Sequence, residues 1–208
     1  MPSYPVFVKT YAPDPAEFPV NEKEILRYAG IPSSEPLQGE LLRVFGETVS
    51  ELRGVFSYGV CYTKTDITRE DGVLRLPFVC PSSDLSKCLS GCERAVIFCA
   101  TVGAGLDRRI AAYSRLSPVK ALFAQAFGAE RAECLCDRFC GEIKAQALSD
   151  GFSCTPRFSP GYGDLPLDIQ RDIFSLLDCE RKIGVTLTDS LLMKPSKSVT
   201  AIFGLRKL

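Results

Sequence analysis

The chain has 208 residues, 46% of them hydrophobic and 24% charged, a balance that fits a globular protein with an apolar core. Its 25 basic and 25 acidic residues cancel, which argues against a nucleic-acid surface built on surplus positive charge and against an acidic tail. Histidine is absent, which removes imidazole acid–base chemistry, Ser-His-Asp and Cys-His nucleophile systems and nearly every catalytic zinc site.

The longest apolar runs, such as Ala95–Ala100, are too short to span a bilayer. The start, Met1-Pro2-Ser3-Tyr4-Pro5, lacks the basic residues and apolar stretch of a signal peptide. The expectation is one cytoplasmic domain, residues 1–208, with neither nucleic acid nor membrane as a partner. The ten cysteines include no Cys-x-x-Cys hairpin, and Cys134, Cys136 and Cys140 fall inside one helical pattern. Reduced thiols used as small apolar residues are therefore expected, rather than disulfides, zinc or an iron–sulfur cluster.

In chain order, Asn21 followed by Glu24 reads as an N-cap with an acidic third helical position, opening a helix that Gly30 closes. A second helix carries Leu41, Leu42, Phe45, Val49 and Leu52 at helical spacing. From Val55 to Cys80 the pattern turns to strands, with alternation from Val55 to Tyr62 and a hairpin turn at Asp71-Gly72. Ala95–Ala100 reads as a buried central strand. Val102-Gly103-Ala104-Gly105-Leu106-Asp107 superficially resembles a dinucleotide fingerprint. Arg108 stands where its third glycine belongs, so a strand-to-helix turn is the better reading.

A long helix begins at the N-cap Ser117 with Pro118 behind it and runs to Ser149, before Gly151. One seam along it reads Val119, Leu122, Ala126, Ala129, Glu133, Cys136, Cys140, Ile143 and Ala147, spaced alternately three and four. Glu133 is the charged member of that stripe and needs either a partner or an opening onto a cavity. The loop Thr155–Gly163 follows, too rich in proline and glycine for helix or strand. Asp164 is expected to cap a helix running to about Lys182 and stopping at Gly184, and Ser198–Leu205 to form the last strand. Mixed elements without a βαβ rhythm define an α+β fold.

The loop is the strongest candidate site. Its stiff backbone would offer N–H and C=O groups not consumed by a ladder. Arg157 brings a planar fork suited to a carboxylate, and Tyr162 an aromatic face. Arg157 with Glu133 would suit an amino-acid zwitterion, although an ordinary turn with a surface arginine accounts for the same residues.

The run Arg157-Phe158-Ser159-Pro160-Gly161-Tyr162 resembles the Arg-Pro-x-Pro-Gly-Tyr loop of the activation domain of vitamin B12-dependent methionine synthase. The similarity continues through Ile173–Asp178 and Ile183–Ser190 to Met193, Pro195 and Ser198-Val199-Thr200. Ala129–Glu133 resembles the helix carrying the family's ligand-contacting glutamate, with Glu130, off the apolar seam, as the alternative to Glu133. Residues 95–208 match best, and similarity before residue 95 is limited to Glu24–Tyr28 and general layout.

The resemblance implies an α+β domain with a twisted antiparallel sheet and flanking helices, holding S-adenosylmethionine in a shallow groove. It implies that Arg157 binds the ligand carboxylate, Ser159 and Gly161 give backbone contacts, Tyr162 packs on the ligand and Glu133 lies near its cationic end. Its task would be reductive remethylation of cob(II)alamin, with a flavodoxin- or ferredoxin-type electron donor. The cobalamin would be carried by a separate methionine synthase chain, since no corrinoid-binding module and no histidine ligand are present. The chain also ends without the extension that supplies a further ligand-side tyrosine in longer members. The alternatives are service to another corrinoid methyltransferase, or a non-catalytic interaction protein that keeps the fold.

Overall fold

A computed structural model describes residues 7–208 except 33, 35 and 71. The expectations about residues 1–5 and about Asp71 lie outside the described residues. Along the chain, β1 (Lys9–Tyr11) and a single 3-10 turn at Pro15–Glu17 lead to α1 (Glu22–Tyr28) and α2 (Gly39–Leu52). Then come β2 (Gly59–Asp66), β3 (Thr68–Glu70), β4 (Val73–Arg75), β5 (Val79–Cys80) and α3 (Ser83–Cys88). The second half contains β6 (Cys92–Thr101), α4 (Gly105–Leu116), α5 (Pro118–Ser149), β7 (Phe152–Cys154), α6 (Ile169–Leu177) and α7 (Cys179–Ile183). A short pair, β8 (Thr186–Leu187) and β9 (Met193–Lys194), precedes β10 (Ser198–Lys207).

The main sheet has the order β1-β2-β6-β10-β7, and every neighbouring pair is antiparallel. At its centre β6 is apolar from Ala95 to Ala100 because both of its faces are covered. Val96, Phe98 and Ala100 pack with Phe123, Phe127 and Phe139 of α5, while Ala95, Ile97 and Cys99 pack with Leu85, Leu89 and Ile173 beneath α3 and α6. Phe98 is fully buried in the first layer, where truncating a phenylalanine to alanine costs about 3–5 kcal/mol. The expected α+β class, with its antiparallel sheet and flanking helices, is what the chain adopts.

Local signals place most elements. Asn21 accepts from the Glu24 amide at 3.3 Å, and Ser117 from the Lys120 amide at 3.4 Å, as caps of α1 and α5. Glu70 pairs with Val73 across a two-residue connection in which Gly72 has φ +79°. The turn after β6 is a packing device. An added Cβ at Gly103 would lie 2.8 Å from the Ser57 carbonyl oxygen, and one at Gly105 2.5 Å from that of Val55, so these glycines let two backbones pass closely.

Four expectations are corrected. Alternation from Val55 reads as strand, but β2 starts at Gly59. Phe56 and Tyr58 instead enter an aromatic cluster with Phe18 and Phe127. The single helix expected from Asp164 to Lys182 is two helices, broken where Asp178 adopts φ 52°. Asp164 caps neither of them; it accepts from Ser82 Oγ and from the amides of Ser83 and Asp84, and so caps α3.

The fourth correction concerns the α5 seam. Its step averages 3.5 residues, whereas a straight helix turns every 3.6, so the stripe rotates by about 20° per heptad. Toward the N-terminal end it has slid off the core: Val119 and Leu122 are exposed, and Phe123 and Phe127 are buried in their place. Among the described residues, no helix is long and apolar enough to cross a membrane.

Candidate functional site

Beyond β7 the chain stays beside the sheet edge. The Thr155 amide donates to the Gly204 carbonyl, and Phe158 exchanges both backbone hydrogen bonds with Ile202 of β10, each at 2.8 Å. The loop was expected to leave its backbone groups free, but these residues extend the edge. Successive side chains of an extended segment point to opposite faces. Phe158 accordingly packs with the layer under α3 and α6, and Arg157 reaches the other way, to α5.

The next four residues form a tight turn. Tyr162 donates its N–H to the Ser159 carbonyl at 3.2 Å, with Pro160 second and Gly161 third at φ +91°. Proline followed by a positive-φ glycine is the signature of a type II turn. The Gly161 amide is also taken, by the Leu165 carbonyl at 2.9 Å. The turn leaves the Tyr162 ring in solvent, with 71% of the residue exposed.

Arg157 and Glu133 meet. The Arg157 Nη2 lies 3.1 Å from Glu133 Oε2 and 2.8 Å from Asp137 Oδ1, so one guanidinium is shared between two carboxylates one helical turn apart. The Arg157 side chain is 26% exposed, Glu133 47% and Asp137 73%, which makes the cluster an open one. Cys136 and Cys140 lie in the field of Arg157, and burial pushes their thiols up to about 12 and about 11, keeping them neutral. Asp137 escaped the sequence reading. Its signal was its place one turn beyond Glu133 on the same helix.

Glu130 has a different setting. It is paired with the adjacent Arg131, and both are almost completely buried. Arg131 also donates to the carbonyls of Phe18 at 3.1 Å and Pro19 at 2.8 Å, while Glu130 accepts from the Asn21 amide at 3.3 Å. This pair clamps the segment entering α1 onto α5.

Two cavities have linings that do not include Arg157, Glu133 or Asp137: one of about 780 Å³ lies between the start of α4, α6 and the β8–β9 hairpin, and one of about 590 Å³ sits beside Phe56, Tyr58 and Arg131. Six cysteines, Cys61, Cys80, Cys92, Cys99, Cys136 and Cys179, are buried and fill space as small apolar groups. Among the described residues, no group of three or more cysteine or acidic side chains is arranged to hold a metal ion.

This α+β architecture matches a solved structure described as the MetH reactivation domain bound to AdoHcy. The TM-score is 0.71 over 96% of this chain and 78% of that one, at 14% sequence identity, a likeness of fold. The family model for the activation domain of vitamin B12-dependent methionine synthase matches residues 92–206, more than half of the chain, and the chain belongs to that family. Comparison with curated proteins gives no match. The matched segment contains Glu133, Asp137 and the whole loop from Arg157 to Tyr162.

Proposed function

We propose that the chain binds S-adenosylmethionine at the Arg157 cluster and serves cobalamin held by a separate methionine synthase chain. The observation that carries this reading is the meeting of Arg157 and Glu133 at 3.1 Å, with Tyr162 exposed in the same loop as Arg157. The donor set suits the ligand. A guanidinium matches an α-carboxylate bidentately, the carboxylates match the ammonium and sulfonium charges, and an open aromatic ring offers a stacking face.

Binding exchanges ion pairs rather than creating them. Arg157 turns from Glu133 and Asp137 to the ligand carboxylate, and the released carboxylates take the cationic end. The one guanidinium serves both carboxylates before binding, and the cationic end of the ligand takes over that service after it. Ser159 and Gly161, held by their turn, would give the ligand backbone contacts, and Tyr162 would pack on it. When bound, S-adenosylmethionine supplies a methyl group for reduced cobalt on the partner and leaves as a thioether. The openness of the cluster suits this task, since the methyl group must be reachable from a second protein. A flavodoxin- or ferredoxin-type donor would provide the electron.

Calorimetric titration of the purified chain with S-adenosylmethionine tests the first half of the proposal. Saturable binding that Arg157→Ala weakens is expected, and no heat up to millimolar ligand would refute it. Adding a cobalamin-loaded methionine synthase chain that lacks its own activation region tests the second half. The expected result is ligand-dependent association on size exclusion.

A further inference from the structure

Asp137 adds something to the cluster that an amino-acid zwitterion does not require. One cation against one anion would neutralise an ammonium and a carboxylate. Here Arg157 faces two carboxylates, Glu133 and Asp137, at 3.1 and 2.8 Å. The neighbouring Cys136 and Cys140 are neutral thiols, and Arg138 is turned away to Glu142 at 3.0 Å. The three groups therefore carry a net charge of −1.

We infer that Asp137 is a specificity-determining residue, giving the site the charge that separates a sulfonium ligand from its thioether product. The inference rests on the S-adenosylmethionine reading above. S-adenosylmethionine has one carboxylate, one ammonium and one sulfonium, hence a net charge of +1, and loss of the methyl group leaves a thioether of net charge zero. A site of net charge −1 is matched by the first and left with a surplus carboxylate by the second. Methyl transfer thus weakens the hold on the ligand, and product departs in favour of fresh donor. Asp137 suits this role by position. It lies one turn along α5 from Glu133 and is well exposed, so its charge acts without the desolvation cost of a buried group.

The test is a set of calorimetric titrations of wild type, Asp137→Asn and Asp137→Glu with S-adenosylmethionine, S-adenosylhomocysteine and sinefungin, in which an amine replaces the sulfonium. In Asp137→Asn, affinity for S-adenosylmethionine and sinefungin should fall about two- to fivefold, the range of an exposed charge pair. Affinity for S-adenosylhomocysteine should hold or rise, as Arg157 loses a competitor. The preference for the charged ligands should weaken with added salt in wild type and be restored in Asp137→Glu. An unchanged melting temperature in Asp137→Asn would show that the effect is not loss of fold. Wild-type binding with the same ligand ratio in Asp137→Asn overturns this inference alone. Wild-type protein that binds none of the three overturns the parent reading and this inference together.

Discussion

Two guanidinium–carboxylate clusters draw their carboxylates from within two turns of α5, and they differ in almost everything but chemistry. Glu130 and Arg131 are sealed from water, with their remaining capacity met by Phe18, Pro19 and Asn21. Glu133, Asp137 and Arg157 share one guanidinium in an open setting. A buried pair is held by what breaking it would cost, because the abandoned charge has no solvent to turn to. An exposed pair contributes roughly 0–1 kcal/mol and gives up its partners readily. The first pair therefore belongs to the fold, and the second is free to exchange with a ligand.

The largest expected effect tests the sealed pair. Arg131→Met leaves Glu130 buried with no cation and should cost about 3–5 kcal/mol. For a chain of this size that is a fall in Tm of about 10 °C by calorimetry. The double variant Glu130→Leu/Arg131→Met removes both charges and should recover much of the loss. A single variant that melts within a degree or two of wild type would break the contrast.

Next in size is Arg157→Ala, read as affinity. Loss of a hydrogen-bonded charged partner is worth about 1.5–3 kcal/mol, or roughly ten- to a hundredfold in Kd for S-adenosylmethionine. Arg157→Lys keeps the charge but not the fork and should lose less. Both variants should melt close to wild type, because the pair they break is open to solvent. Wild-type affinity in Arg157→Ala would remove the carboxylate assignment.

The contrast also marks where reading the sequence stops. The Asn21 and Ser117 caps, the β6 run and the glycine turn after it were legible because each is a local signal of spacing or backbone conformation. The meeting of Arg157 with Glu133 was legible as matched chemistry, but not as geometry. The buried rank of Glu130 was missed because a 3.5-residue stripe was laid on a 3.6-residue helix, and the slip grows with length. The break at Asp178 was hidden because the start and stop signals at Asp164 and Gly184 bracket it, while a single left-handed residue redirects the chain. Short pieces such as α3, β1, β7 and the β8–β9 pair leave too few residues for any period to register.

Glu133→Gln sharpens the contrast at smaller scale. The substitution nearly preserves volume and keeps a hydrogen-bond acceptor for Arg157. With its side chain 47% exposed, stability should change by less than about 1 kcal/mol. Affinity for S-adenosylmethionine should fall a fewfold, since its cationic end loses a counter-charge. Tm and Kd measured on one preparation separate the outcomes. A clearly destabilised variant that still binds ligand when folded would make Glu133 a structural partner of Arg157 and nothing more.

The smallest effect concerns an anion that, among the described residues, is held by hydrogen bonds and not by an ion pair. Asp164 receives the Ser82 hydroxyl at 2.5 Å and the amides of Ser83 and Asp84 at 2.8 and 3.1 Å, all at the start of α3. The Ser82 hydrogen bond, followed by the two amides, holds its carboxyl below the usual aspartate range, because each donor favours the charged form. A carboxyl with a lowered pKa in the folded state binds its proton more weakly there than in the unfolded chain. Its stabilising contribution is thus complete above the ordinary aspartate value near 3.9 and drains away as pH falls through the folded-state value. Asp164→Asn keeps the shape but loses the charge and one acceptor. It should lower Tm modestly at pH 7, by less than Arg131→Met. The gap from wild type should narrow as pH drops below about 4. Thermal melts of both proteins from pH 7 down to pH 3 give the comparison directly. A gap that stays constant across that range would mean that the Asp164 charge contributes nothing and that the geometry of the cap alone matters.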